Sequence, residues 1–597
     1  MCGIIGYVGY RNARDIVLEG LKKLEYRGYD SAGIALIKNG LFLFKEVGEI
    51  KNLENEVPEI SSNIGIGHTR WATHGGVNKK NAHPHVDCKG KIAIVHNGII
   101  ENFKKLKEEL EIKGHKFTSE TDTEVIAHLI EENYDGDIRK AVQNAIKKLK
   151  GSYAIVVITE NEPGVIIGAR KESPLVIGIG ENENFIASDI PAFLKYTNKV
   201  KYMEDGEICE VRKNEVKIFD LDGNEVSREE KIVEWSIEEA EKGGFPHYML
   251  KEIYEQPKSL METMRGRIGE IEPFVDLGIG LEDIDELTLV ACGTSYYAAM
   301  AGKYILEEIA GISCNVELSS EYRYFGKRKG IVLAVTQSGE TADTLAALRE
   351  AKRYGCETIV ITNVIGSSAT RIADKTILTR AGPEIGVAAT KTFTTQVLTF
   401  ILLALELGIK KERLSHSQAR EYIASLKKLP MAVKEVLDKG EEIEKLAKML
   451  QDNESIFFIG RGINYPVALE GALKLKEISY VHAEGFAAGE LKHGPFALLT
   501  SDTPVIAIVS QDKTHEKMLG NIGEIKARNS PVIAVADEND KEIAKFADYI
   551  VRYPSLPPFV ASIPITVILQ LLAYHVARLK GRPIDKPRNL AKSVTVE

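Results

Sequence analysis

The sequence predicts an α+β domain followed by two copies of an α/β unit built on parallel sheets. Three observations carry this expectation. Up to about Glu234 the chain shows short β-type runs, such as Ile92-Ala93-Ile94-Val95 and Tyr153 to Ile158, broken by Gly and Asn turns. Beyond about Gly280, similar runs alternate with helical patterns, as parallel strands joined by crossover helices require. This second half also repeats itself. Leu289-Val290-Ala291-Cys292-Gly293-Thr294-Ser295-Tyr296 aligns with Phe458-Ile459-Gly460-Arg461-Gly462-Ile463-Asn464-Tyr465, and Ala373-Asp374 and Gln396 align with Ala547-Asp548 and Gln570. Two copies are too few for a solenoid and predict a pseudo-symmetric pair.

At 597 residues the chain exceeds the length, about 250–300 residues, at which a single core stops growing. The expected order is a first domain over 2–234, a charged linker with a helical lead-in over 235–280, one α/β unit over 281–420, a helical, charged connector around Ser415 to Gln451, a second unit over 445–580, and a tail over 581–597. The tail has two prolines and no periodicity, and reads as frayed. Hydrophobic content of 44% and charged content of 27% fit a soluble globular protein, and a net charge of −9 argues against a nucleic-acid surface. Six cysteines without a C-x-x-C pair suggest a reducing, cytoplasmic setting, and no basic-then-apolar leader pattern opens the chain. The stretch Phe559 to Ala577 contains Ser562, Pro564, Gln570 and His575, which favours a buried core helix over a membrane span.

The residues that could carry chemistry fall in order. Cys2 would combine a nucleophile and a base once one residue is removed, because a thiol of pKa about 8.5 would lie beside an α-amine of about 7.7–8.0. Gly67-His68-Thr69-Arg70-Trp71-Ala72-Thr73-His74-Gly75 and Val95-His96-Asn97-Gly98 read as polar turns. An arginine there can clamp a carboxylate, and an Asn amide beside a glycine N–H can serve an oxyanion. His83-Pro84-His85-x-x-Cys88, with His74 nearby, imitates a metal motif. No second ligand pair follows at a usual spacing, so no metal is expected.

In the first repeat, the strand Ile331 to Val335 runs into Thr336-Gln337-Ser338-Gly339-Glu340-Thr341 and a helix over Ala342 to Tyr354. Such a loop suits a phosphate, or is an ordinary hydroxyl helix cap. Cys292-Gly293-Thr294-Ser295 supplies a second hydroxyl pair. The corresponding loop of the second repeat, Val509 to Thr514, lacks the glycine and gains Asp512, so phosphate binding there is not expected. That repeat instead places Glu470, Lys474 and Glu477 on one face of a helix over Pro466 to Ser479, as a catalytic row or an exposed ion-pair stripe. His493, between glycines, could titrate or cap a turn.

The combination of Cys2-Gly3-Ile4, Tyr26-Arg27-Gly28-Tyr29-Asp30-Ser31-Ala32-Gly33, Arg70-Trp71, His96-Asn97-Gly98, Glu120-Thr121-Asp122-Thr123-Glu124, both repeats and Pro587 to Glu597 resembles the glutamine–fructose-6-phosphate aminotransferase (isomerizing) family over essentially the whole chain. The resemblance implies an N-terminal-nucleophile (αββα) glutaminase domain followed by two sugar-isomerase (SIS) domains. Thr336 departs from the serine expected there but keeps a hydroxyl.

By the same resemblance, Cys2 attacks the glutamine amide and Asn97 with Gly98 holds the oxyanion. Arg70, Thr73, His74, His83 and Asp122 bind glutamine, and Trp71 gates an ammonia channel. Thr294, Ser295, Thr336, Gln337, Ser338 and Thr341 bind the sugar phosphate. Glu477, Lys474, His493 and the Schiff-base lysine Lys592 carry the isomerisation. The implied partners are L-glutamine and fructose 6-phosphate, with no cofactor, nucleic acid or membrane, in a homodimer with a shared sugar site. The rivals are a phosphoribosyl-pyrophosphate-dependent amidotransferase, and a SIS protein that acts as a deaminase or only senses sugar phosphate.

Overall fold

The computed structural model describes residues 2–72, 74–233, 242–269, 274–280, 284–326 and 329–595. Thr73 and the linker stretch 235–241 lie outside the described residues. The chain divides into two compact units, Met1–Ala240 with Ala591–Glu597, and Glu241–Leu590.

The first unit stacks an eight-stranded sheet on a seven-stranded one, and the paired strands in both are antiparallel. Period-two alternation sorts the side chains. Along the strand Ile92–Ile100, Ala93 and Val95 join Ile4, Val8 and Ile66 of the other sheet in the central core. Ile92 and Ile94 face the opposite way, toward Val125, Ile126 and Val142 of the helices Glu124–Asn133 and Ile138–Ile146. The helix Ala13–Leu24 covers the other sheet, and Gly67 leaves room for its Val17 and Leu21. The result is a four-layer αββα sandwich. The strand Gly3–Val8 lies between two neighbours in the eight-stranded sheet, which puts Cys2 at the end of a buried central strand.

The second unit contains two five-stranded sheets whose paired strands are all parallel. Each has the order second, first, third, fourth, fifth along the chain, so the repeat in sequence is a repeat in topology. Buried runs such as Ile331–Val335 and Val505–Val509 are apolar throughout because helices cover both faces. Two helices, Lys391–Lys410 and Pro558–Leu579, are long and apolar enough to cross a membrane, but 94% of each apolar window is buried within the fold. They occupy equivalent places in the two repeats and share one core. The lead-in supplies the helices Tyr248–Tyr254 and Gln256–Met264, and the connector supplies His416–Leu437 and Gly440–Leu450.

The tail is not frayed. Within the second unit Ile584 is buried, and the Asp585 carboxylate accepts the Tyr248 and Met249 amides at 3.0 and 3.1 Å. Residues 591–597 group with the first unit, where Ser593 and Thr595 are buried. Short polar anchors of this kind leave no hydrophobic period to read.

Gly302 lets the helix Gly293–Ile305 approach the ring of Phe400, since a Cβ there would lie 2.6 Å from Phe400 Cδ1. Phe400→Ala should therefore destabilise the second unit by about 3–5 kcal/mol, as an aromatic deletion from a packed core does. Chemical denaturation monitored by circular dichroism checks the value.

Candidate functional site

In the first unit the pairing of Gly3 with Thr69 brings Cys2 to the end of the neighbouring strand Ile64–Arg70. The Trp71 N–H donates to Cys2 Sγ at 3.2 Å, and the thiol faces the Trp71 carbonyl at 3.6 Å. Burial pushes the thiol pKa up, while the Trp71 amide and the Arg70 charge pull it back. Asn97 Nδ2 donates to the Cys2 carbonyl at 2.8 Å. Its orientation is set by His68, whose Nε2 lies 3.0 Å from Asn97 Oδ1 and 3.1 Å from the His96 carbonyl. Both partners are acceptors, so Nε2 carries the proton. Burial lowers the His68 pKa to about 3, which keeps the ring neutral. Gly98 has φ +129°, and a Cβ there would meet the Ser152 carbonyl oxygen at 2.1 Å, so only glycine exposes this amide.

One cavity gathers Cys2, Arg70, Trp71, His74, His83, Asn97, Gly98 and Asp122. The Arg70 guanidinium donates to the carbonyls of His74, Gly75 and Gly76 at 2.5, 2.9 and 3.2 Å, which folds that loop around it. Asp122 accepts the Ile100 amide at 2.8 Å, and Asp30 accepts the Ala72 amide at 2.8 Å. His68, Asp30 and Thr595, which also lines the cavity, had no separate sequence signal for these positions. Their partners lie far along the chain.

In the second unit the loop after Ile331–Val335 is tied by its own hydroxyls. Thr336 Oγ1 accepts the Gly339 amide at 3.2 Å and lies 3.2 Å from Thr341 Oγ1, and Ser338 Oγ accepts the Glu340 amide at 3.1 Å. Gly339 has φ +67°, with Ser367 Oγ 2.0 Å from where a Cβ would sit. Thr341 precedes the helix Ala342–Arg353, and its side chain makes no cap hydrogen bond. Ser295 Oγ accepts from Gln396 Nε2 at 3.0 Å. The equivalent loop of the second repeat is self-satisfied, because Asp512 Oδ1 takes both the amide and the hydroxyl of Thr514 at 2.7 and 2.6 Å.

Glu470, Lys474 and Glu477 lie on the helix Asn464–Ser479, and the row is not an exposed stripe. Glu470 and Lys474 side chains are 0% and 1% exposed, and Glu477 is 21% exposed. Lys474 Nζ lies 2.7 Å from Glu477 Oε2 and 3.4 Å from Glu470 Oε1, and donates to Thr294 Oγ1 at 3.0 Å. Thr294 in turn donates to Glu470 Oε1 at 3.3 Å, which joins the first repeat to the second. Burial pushes the Glu470 pKa up to about 8, with Lys474 opposing and Glu477 reinforcing. Burial works against the Lys474 charge, yet the two carboxylates hold its pKa above the ordinary value. The structure leaves His493 exposed at the end of the short turn Ala488–His493. Lys592 lies in the part of the tail that packs with the first unit.

Fold and site define a glutamine amidotransferase of the N-terminal-nucleophile type joined to paired SIS domains. Residues 68–195 match the family model of a glutamine amidotransferase domain, and residues 280–406 and 449–580 match that of the SIS domain. The glutamine–fructose-6-phosphate aminotransferase (isomerizing) of Pyrococcus horikoshii is 51% identical over 607 residues and that of Methanosarcina acetivorans 50% over 620, each covering 100% of both chains. The solved C-terminal domain of glucosamine-fructose-6-phosphate aminotransferase from Francisella tularensis, 38% identical, covers 58% of this chain and 99% of its own with a TM-score of 0.55. The chain belongs to the glutamine–fructose-6-phosphate aminotransferase (isomerizing) family.

The raised Glu470 pKa has a definite sign. Below about 4.5 the folded and unfolded chains both carry the proton. Between there and about 8 only the folded chain keeps it, so this group lowers stability as pH rises through the window. Glu470→Gln should remove that slope, measured as urea midpoints from pH 4.5 to 8.

Proposed function

We propose that this protein transfers the amide nitrogen of L-glutamine to D-fructose 6-phosphate, giving D-glucosamine 6-phosphate and L-glutamate. The observation that supports this most is the Cys2 thiol, held by the Trp71 amide in a cavity that also presents Asn97, Gly98, Arg70 and Asp122. With residue 1 removed, the Cys2 amine takes the thiol proton and the thiolate attacks the glutamine carboxamide. Asn97 Nδ2 and the Gly98 N–H receive the oxyanion. Ammonia leaves, and water releases glutamate from the thioester. Arg70 takes the glutamine α-carboxylate and Asp122 its α-ammonium, with Thr73, His74 and His83 around them. Trp71 gates a dry passage, needed because ammonia in bulk water at neutral pH is mostly protonated.

In the second unit, Ser295, Gln337, Ser338 and Thr341, with Thr294 and Thr336, hold the sugar phosphate at the strand-to-helix loops of the first repeat. His493 opens the sugar ring. Lys592 forms a Schiff base at C2 and ammonia displaces it. Glu477 then moves a proton from C1 to C2, with Lys474 assisting at O1. The exposure of His493 supports a homodimer in which one subunit lends it to the other's sugar site. The six free cysteines suit the cytoplasm.

Cys2→Ala should abolish glutamate release while fructose 6-phosphate still binds by calorimetry. Trp71→Ala should raise the glutamate to glucosamine 6-phosphate ratio above one, as product quantification reads. A protein that binds the sugar phosphate but forms neither product would be a sensor, and the proposal would fail.

The two repeats should divide their labour. Ser338→Ala with Thr341→Ala should raise KM for fructose 6-phosphate, each lost charge-assisted hydrogen bond being worth about 1.5–3 kcal/mol. Glu477→Gln should instead lower kcat by about 10²–10⁴-fold. Steady-state kinetics separates the two effects, and borohydride trapping of the sugar should be lost in Lys592→Ala.

A further inference from the structure

We propose that Cys88, His115, His128 and Glu131 form a tetrahedral zinc site in the first unit. Their donor atoms all lie within 4.8 Å of one another. They come from three segments. Cys88 sits in the turn between the strands His85–Val86 and Ile92–Ile100, a turn fixed by Asp87 Oδ1 accepting the Lys91 and Ile92 amides at 2.7 and 2.8 Å. His115 follows the helix Phe103–Ile112, with its amide on the Leu110 carbonyl at 3.1 Å. His128 and Glu131 are three residues apart on one face of the helix Glu124–Asn133.

Four of the donor–donor edges match a zinc coordination shell. Zinc–sulfur bonds of about 2.3 Å and zinc–nitrogen or zinc–oxygen bonds of about 2.0–2.1 Å, at tetrahedral angles, require sulfur–nitrogen edges of about 3.6 Å and nitrogen–oxygen edges of about 3.4 Å. Cys88 Sγ lies 3.4 Å from His115 Nδ1 and 3.5 Å from His128 Nδ1. Glu131 Oε2 lies 3.2 Å from His115 Nδ1 and 3.6 Å from His128 Nδ1.

Proton placement points the same way. His115 Nε2 lies 3.0 Å from Glu132 Oε1, and the carboxylate can only accept, so Nε2 carries the proton and Nδ1 turns a lone pair inward. That is the carboxylate–histidine–metal arrangement in which an outer acid fixes the ligand tautomer. The His128 side chain is 1% exposed, and its Nε2 makes no hydrogen bond, with Glu124 Oε1 3.8 Å away. Its Nδ1 faces the same point, 3.5 Å from Cys88 Sγ and 3.6 Å from Glu131 Oε2. Glu131 Oε2 also accepts the Cys88 amide at 3.1 Å, which holds the carboxylate on the cysteine.

Lone pairs converging at these distances repel unless a cation or a shared proton lies among them. A thiolate, two imidazoles and one carboxylate select zinc over magnesium or calcium, which prefer all-oxygen shells. Four protein ligands leave no open position, so the site is structural. It would pin the hairpin turn that leads into the strand of Asn97 and Gly98 to the helix that begins just after Asp122. The rival occupant is a proton, with a doubly protonated His115 bridging Glu131 and Glu132.

The test uses the full-length protein. Elemental analysis after purification without chelator should find one zinc per chain. After chelation and dialysis, cobalt(II) should restore one equivalent, with thiolate-to-cobalt charge-transfer and tetrahedral d–d absorption. Cys88→Ser, at an exposed position the fold tolerates, should abolish the charge-transfer band. It should also weaken zinc binding at least ~100-fold, since loss of even an outer-shell partner costs about 10–100-fold. Cys2→Ala should keep the band, which excludes the nucleophile as its source. Absence of zinc from protein exposed to zinc(II), or a cobalt spectrum unchanged by Cys88→Ser, would overturn the proposal and leave the proton-bridged cluster.

Discussion

The Lys474 ammonium, sealed inside the second unit, is the constraint around which that unit is arranged. A lone buried charge costs several kcal/mol, and removing one partner of a buried pair costs about 3–5 kcal/mol. Here the charge meets Glu477 at 2.7 Å, Glu470 at 3.4 Å and the Thr294 hydroxyl at 3.0 Å. Thr294 comes from the first repeat and the acids from the second. The electrostatic requirement of one lysine thus adds a polar tie between two repeats that already share one apolar core. It also settles the protons, because burial favours a neutral Glu470 and leaves the tight pair to Lys474 and Glu477.

The two repeats keep one topology and spend it differently. In both, the third strand in chain order ends in a polar loop before a helix. The first copy retains Gly339 at positive φ, and its hydroxyls bond mostly to local amides and to one another. The second copy closes its loop with Asp512, and Lys513 is drawn to Glu308 at 2.8 Å. An anion would meet a carboxylate there. The equivalent glutamines diverge too. Gln396 reaches Ser295, beside the first loop, while Gln570 bonds Gln256 and the Thr390 carbonyl inside the shared core. One glutamine serves the loop side and the other the packing between helices.

Much of this architecture was legible because it is periodic. Continuous apolar runs in Ile92-Ala93-Ile94-Val95 and Ile331–Val335 announce strands buried on both faces, and the repeated strand-and-turn segments announce the second sheet. Features made by single long-range contacts were not. The tail lacks any period, yet Asp585 anchors it to two amides more than three hundred residues earlier. Residues 235–241 at the start of the expected linker, and Thr73, fall outside the described residues. In sequence Cys88 stands beside His83 and His85. His83 instead stacks on His68 with ring centroids 4.0 Å apart, His85 meets Thr121, and Cys88 finds histidines from beyond the next helix. Local spacing can reveal a metal motif only when the ligands share one turn or helix.

The thiol of the first unit shows why position matters as much as residue type. Burial raises its pKa, and the Trp71 amide and the Arg70 charge oppose that. A side-chain base brought from elsewhere would need its own burial and its own tautomer control, as His68 has for a different task. His68, neutral with its proton on Nε2, serves to orient Asn97 rather than to accept a proton from Cys2. The nearest donor to the sulfur is a backbone amide, that of Trp71. With residue 1 removed, as proposed above, the cysteine would supply a proton acceptor from its own main chain. The antiparallel pairing of Gly3 with Thr69 is therefore a chemical feature as well as a structural one. It holds Cys2, the residue before the strand, with its thiol on the Trp71 amide and its carbonyl on the Asn97 amide.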